Sequence, residues 1–211
     1  MLKPLLPSHE RTMSRRSAVV EALSAIGSPA RMAVPALLEW FKSANADADS
    51  IGNVLSQLIR PDDGPALMAV MALLDHPQAR ESALRLLLQL RPQGLAPHPA
   101  LVRLLHDPNK NIQRYAFVVL GRLGASARPA VPHVLEVAQS SDFSIRYRAI
   151  RTLGEIGERA TAAIPALLEW SHDTDAFIRL ASAESLQKID PMTAAKGDIT
   201  NTTTATPRSQ S

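Results

Sequence analysis

The sequence predicts an all-α fold made of stacked helix pairs, five pairs followed by a sixth first helix. Two landmark series carry this prediction. Prolines that open an apolar run stand at Pro35, Pro65, Pro99, Pro132 and Pro165, at spacings of 30, 34, 33 and 33 residues. Pairs of the form L-x-x-[IL] stand at Leu23/Ile26, Leu55/Leu58, Leu87/Leu90, Leu120/Leu123, Leu153/Ile156 and Leu186/Ile189, at spacings of 32, 32, 33, 33 and 33. The segment Val34–Trp40 returns almost verbatim as Ile164–Trp170. A fixed period of this length marks a repeat architecture, because one short helix pair cannot bury its apolar face alone and a stack of pairs can.

Each period holds two helical patterns and no strand alternation. The first helices are expected near 14–26, 46–59, 78–90, 111–123, 144–156 and 177–189. Four residues before each leucine stands Val19, Ile51, Ala83, Ala116, Ala149 or Ser182, which completes one helix face with small residues where neighbours approach. Gly27, Gly124 and Gly157 follow directly and suit a helix C-terminus. The second helices are expected to begin near Ala33, Gly64, Pro99, Ala130 and Ala163 and to run about ten residues. Their apolar positions lie two, three and six residues after the proline, as in Leu37, Leu38 and Phe41. Asp142 and Asp175 precede first helices in N-cap fashion.

The pattern D-x-x-[IV]-R-x-x-A-x-x-x-L-G-x-[IL]-G followed by A-[VI]-P-x-L, clearest over 142–168 and looser over 107–135, resembles HEAT repeats of the short type also found in phycobilin lyase subunits. The resemblance covers about residues 14–190 and implies a right-handed α-α superhelix, an armadillo-like HEAT-repeat solenoid whose second helices line a concave face. The second repeat departs from the pattern, with Ala48 where the Arg is expected and a turn, Ile59–Gly64, two residues shorter than in the other repeats. Residues 1–13 read as a lead-in, in which Lys3-Pro4-Leu5-Leu6 resembles a decayed repeat helix and leaves open that the chain is a piece of a longer solenoid. Residues 191–211, rich in Thr and poor in large apolar residues, read as a disordered tail.

Composition bounds the chemistry. With no Cys, the 211-residue chain has no disulfide framework, no thiolate zinc site and no cysteine nucleophile. Its apolar runs fall far short of the roughly 20 residues of a membrane helix, and residues 1–11 form no secretory signal, so cytoplasm is the expected compartment. No phosphate-cradling, dinucleotide, nucleophile-elbow or H-E-x-x-H motif occurs. Glu169-x-x-His172 and His133-x-x-Glu136 have the spacing of metal ligands but stand at different offsets from their prolines, so a solvated helix face is the simpler reading. No metal, no cofactor and no catalytic residue is expected.

Charge placement decides among partners. The pI near 9.6 invites a nucleic-acid reading. The polar row of the second helices, however, holds Glu39, Asp107, Glu136, Glu169 and Asp173 against Arg103 alone. The corresponding row of the first helices balances five bases with five acids. Neither row is the converging set of cations that phosphate binding needs, so nucleic acid is disfavoured. Arg146 and Arg179 stand seven residues before a repeat leucine, within about 20° of it around the helix. With Asp142 and Asp175 one turn earlier, they are expected to form a structural Asp–Arg ladder between repeats.

The expected function is a non-enzymatic protein-protein interaction module or scaffold that uses the concave face. The candidate binding residues are Glu39, Trp40, Arg103, His133, Glu136, Glu169 and Trp170. Trp40 and Trp170, five after their prolines, read either as the edge of the core or as aromatic anchors. Acidic residues beside aromatic ones suit a protein partner carrying positive charge. An enzyme subunit like those of the phycobilin lyases, and a nucleic-acid binder like the HEAT-like DNA glycosylases, are the alternatives.

Overall fold

Short polar residues, Asn109, Asp142 and Asp175, cap the first helices of the last three helix pairs. In the computed structural model, which describes residues 18–43, 48–92 and 94–196, every regular element is helical and no strand occurs among the described residues. The chain divides into an N-terminal unit, residues 1–90, and a C-terminal unit, residues 91–211. The N-terminal unit holds α1 (18–26), α2 (Val34–Ser43), α3 (Ala48–Leu58), α4 (Gly64–Ala72) and α5 (Arg80–Leu90). The C-terminal unit holds α6 (Pro99–Arg103), α7 (Lys110–Leu123), α8 (Val131–Val137), α9 (Phe143–Ile156), α10 (Ile164–Trp170), α11 (Ala176–Ile189) and α12 (Pro191–Lys196).

First helices α7, α9 and α11 share a two-step capping device. The Asp173 carboxylate accepts from Asp175 N at 2.8 Å, and the Asp175 carboxylate in turn accepts from Phe177 N and Ile178 N at 2.8 and 3.2 Å. One repeat earlier, Ser140 accepts from Asp142 N, and Asp142 accepts from Ser144 N and Ile145 N. Asp107 and Asn109 do the same for α7. Each step satisfies backbone donors that the first turn would otherwise leave without partners.

The second helices α2 and α4 run ten and nine residues as expected, and those of the C-terminal unit are shorter, five residues in α6 and seven in α8 and α10. The chain is wound as 3-10 helix over Leu104–His106, within the span expected for α6, and over Gly124–Ala130 and Gly157–Ala163, which lead up to the expected starts of α8 and α10. The tighter winding turns the chain between paired helices in few residues. Gly124 and Gly157 make the turn possible with φ of 54° and 73° and ψ of −133° and −148°. That is not the left-handed helical region but the positive-φ extended one, which is open almost only to glycine.

Burial follows the periodicity from α3 onward. Leu55, Leu87, Leu120, Leu153 and Leu186 are fully buried, as are Ile51, Ala83, Ala116, Ala149 and Ser182 one turn before them. The first repeat differs, with Val19 and Ile26 on the surface. Two contacts fix the spacing of the first helices in the C-terminal unit. Thr152 Oγ1 donates to Phe117 O at 3.4 Å, and Ser185 Oγ donates to Ile150 O at 2.9 Å, the same bond one repeat on. Beside them, Gly121 faces Glu155 and Gly154 faces Ser185 so closely that a Cβ at Gly154 would lie 2.8 Å from Ser185 Cα. The first glycine of L-G-x-[IL]-G is thus a packing glycine.

The tail expectation is corrected at its start. Residues 191–196 are helical, packed on α11, with Ala194 buried. Asp190 caps this helix by accepting from Met192 N, Thr193 N and Thr193 Oγ1. A polar composition missed it because a cap, a proline in the first turn and one buried alanine suffice when a neighbouring helix supplies the apolar surface. Residues 197–211 and the 1–13 lead-in lie outside the described residues.

Candidate functional site

The second helices carry the candidate residues. In the N-terminal unit, α2 and α4 leave a groove of about 640 Å³ between them. Along most of its length α4 turns Ala66, Ala69 and Ala72 toward Pro35 and Leu38 of α2, between Pro65 and Leu73 at its ends, and these small side chains leave the gap unfilled. Arg31 and Asp63 tie the turn before α2 to the cap of α4 at 2.8 Å, while the other Asp63 oxygen accepts from Ala66 N. Glu39 stands on the rim with its side chain 73% exposed and Lys42 3.7 Å away, an exposed pair of little energetic weight. Trp40 beside it is half-buried.

In the C-terminal unit, Arg103, His133, Glu136 and Glu169 are exposed on α6, α8 and α10. Glu136 reaches a polar cleft of about 290 Å³ with His106, Gln113 and Ser140. Asp107 and Asp173, which the sequence places in the same acidic row, are drawn into the capping turns instead. The row available to a partner is therefore smaller than the sequence suggests. Trp170 is buried, and the Arg146 guanidinium lies 5.9 Å from its ring centroid, so this tryptophan packs rather than projects. The two tryptophans occupy one register position, Trp40 half-buried and Trp170 buried.

The Asp–Arg ladder needs correction in its partners. Asp142 and Asp175 use their oxygens on the backbone of their own helices, and Asp142 also accepts from Lys110 Nζ at 3.1 Å. An N-cap carboxylate is aimed back along its own helix, so it does not reach an Arg one turn ahead. Arg146 instead pairs with Asp173, in the turn after α10, as a short and mostly buried contact. Arg179 Nη1 donates to Asp173 O at 2.8 Å and Thr174 O at 2.9 Å. In the same register Gln113 Nε2 donates to Leu105 O at 2.6 Å. These side chains clasp inter-repeat turns. The Asp175 N–H and the Arg146 guanidinium together hold the Asp173 carboxyl below its ordinary 3.8.

Sequence reasoning missed an aromatic group on the first helices. Phe143 stacks on Tyr147 at 5.9 Å and meets Phe177 edge-on at 6.2 Å, with Phe177 65% exposed. The available signal was that two of only four phenylalanines stand in the first turns of adjacent repeats, away from the apolar face. Among the described residues no three His, Asp or Glu side chains are placed to hold a metal ion, and no helix is long and apolar enough to cross a membrane.

The comparisons with known proteins bear on the repeats. No curated protein matches the chain. The crystal structure of an engineered protein is similar at 16% identity and a TM-score of 0.47, over 89% of this chain and 84% of that one. Residues 131–196, from the start of α8 to the end of α12, match the family model of HEAT repeats, a match to HEAT repeats at large that does not reach the phycobilin lyase type.

Proposed function

We propose that the chain is a non-catalytic protein-binding repeat module whose second-helix face receives a segment of another protein. The groove between α2 and α4 is the observation that carries this reading, since an apolar floor with a charged rim is the usual form of a peptide-receiving site. HEAT repeats, matched over 131–196, generally mediate protein–protein interaction. Glu39 on the rim, with Glu136 and Glu169 at the same register position, favours a segment that sets a Lys or Arg beside an apolar side chain.

Selection from a displayed library of random peptides on the full chain tests this. The expected peptides pair a basic residue with an apolar one, and their binding falls at least about tenfold in Ala69→Trp, which fills the groove, while the melting temperature holds. Selected peptides that bind Ala69→Trp as well as the natural chain would overturn the groove as the site.

A further inference from the structure

A second surface lies on the first helices of the C-terminal unit, and its chemistry is opposite to that of the groove. Phe143, Tyr147, Phe177 and Leu180 form a ledge along α9 and α11, with Phe143 46%, Phe177 65% and Leu180 36% exposed. Elsewhere these register positions hold Lys110, Asn111 and Arg114, so the apolar side chains are not demanded by the repeat. Clustered exposed aromatics cost solubility and mark contact surfaces.

Beside the ledge, a cleft of about 400 Å³ opens between the first turns of α7 and α9, lined by Lys110, Arg114, Asp142, Ser144 and Arg148. Its one acid is already committed, since Asp142 caps α9 and pairs with Lys110. Among the described residues no carboxylate pairs with Arg114 or Arg148. The Arg114 guanidinium lies 4.8 Å from the Tyr115 centroid, and its Nε is buried without a hydrogen-bond partner. That Nε is sealed from solvent, so what Arg114 offers the cleft is the positive charge of its guanidinium, which a carboxylate complements.

We propose that this surface binds an acidic protein segment that also carries an apolar or aromatic residue. Its carboxylates enter the α7–α9 cleft against Arg114 and Arg148, and its apolar residue covers Phe143 and Phe177. Neighbouring packed helices stand about 8–10 Å apart, so the two features should be separated by about three residues of extended chain. A nucleic acid fits less well, because the cations end on α9, where Arg151 lies over Tyr147, and toward α11 the face carries Asp175 and Glu184, which would repel a phosphate track.

The test is a displayed random-peptide selection on the full chain, followed by anisotropy titration of the enriched peptides against variants. Arg148→Glu and Phe177→Ser change exposed side chains and should melt like the natural chain. The expected result is enrichment of Asp or Glu near an aromatic residue, with binding lowered at least about tenfold by each variant and unchanged by Ala69→Trp. The last arm separates this surface from the groove, so either can fail alone. Three results would overturn the proposal: enriched peptides indifferent to Arg148→Glu and Phe177→Ser, an oligo-dT probe that binds through the same two residues, or self-association abolished by Phe177→Ser.

Discussion

The two units solve one packing problem with different chemistry. In the C-terminal unit the register repeats in side-chain hydrogen bonds as well as in burial, with Thr152 and Ser185 donating to carbonyls one repeat earlier and Gly121 and Gly154 letting the helices close. In the N-terminal unit the equivalent positions hold Val54 and Leu86 in place of the hydroxyls, and Ser56 and Leu88 in place of the glycines. There the first helices α3 and α5 meet through apolar burial and an exposed ion pair from Arg85 to Asp49 at 2.8 Å, with no buried side-chain hydrogen bond between them among the described residues, and α2 and α4 stand apart over a groove. Strict periodicity accompanies polar contacts whose geometry tolerates little change, and relaxed periodicity accompanies the surface with room for a ligand.

Substitutions should separate the two chemistries. Gly154→Ala carries the largest expected effect, a loss of about 3 kcal/mol, because the new Cβ meets the backbone of Ser185 and a helix must move. Gly121→Ala is the control. Its Cβ meets only the Glu155 side chain, whose carboxylate can swing into water and whose Cβ, 3.1 Å away, must give slightly, and the gain in helix propensity of about 1 kcal/mol offsets much of the cost. Urea unfolding of both variants measures the difference, and equal losses would show that the close approach of the Ser185 backbone to Gly154 does not set the cost.

Arg146→Ala should lose about 2 kcal/mol, since it leaves the mostly buried Asp173 without its guanidinium and uncovers Trp170. Arg179→Ala should lose about 1 kcal/mol, the worth of hydrogen bonds to two carbonyls that water can partly replace. Tryptophan emission should shift to the red in the first variant and stay in place in the second.

Asp173 also predicts a pH dependence. Its carboxyl is depressed in the fold, so the unfolded chain binds the proton more readily. The stabilisation is fully present above the unfolded value and is lost as pH falls through the folded one. The stability gap between the natural chain and Asp173→Asn should therefore be widest near neutral pH and shrink below about pH 4. A constant gap would show that Asp173 acts through its capping geometry alone.

The smallest effects belong to the exposed positions and the C-terminal end. Removing 197–211 should leave the melting temperature within error, whereas removing 191–211 should lower it, because Ala194 and the Asp190 cap go with α12. Glu169→Ala, exposed on α10, should cost at most about 0.5 kcal/mol.

The repeat, the buried leucine rows and the caps at Asp142 and Asp175 were legible in the sequence because periodicity and capping are local properties. The partner of Arg146 was not. A helical wheel places the guanidinium on the inner side of α9, but only the folded turn after α10 brings Asp173 to it across 27 residues. The burial of Trp170 was hidden for the same reason, since the Arg146 guanidinium reaches its ring from the preceding first helix. The aromatic ledge was visible as letters, but its exposure depends on which neighbour α9 meets.

Amide hydrogen exchange on the full chain tests the contrast between the units most directly. If buried side-chain hydrogen bonds between first helices hold the C-terminal unit more firmly than apolar burial with partly exposed ion pairs holds the N-terminal one, amides in the middle of α7, α9 and α11 exchange more slowly than those in the middle of α3 and α5. Equal protection in the two sets, or slower exchange in α3 and α5, would contradict it.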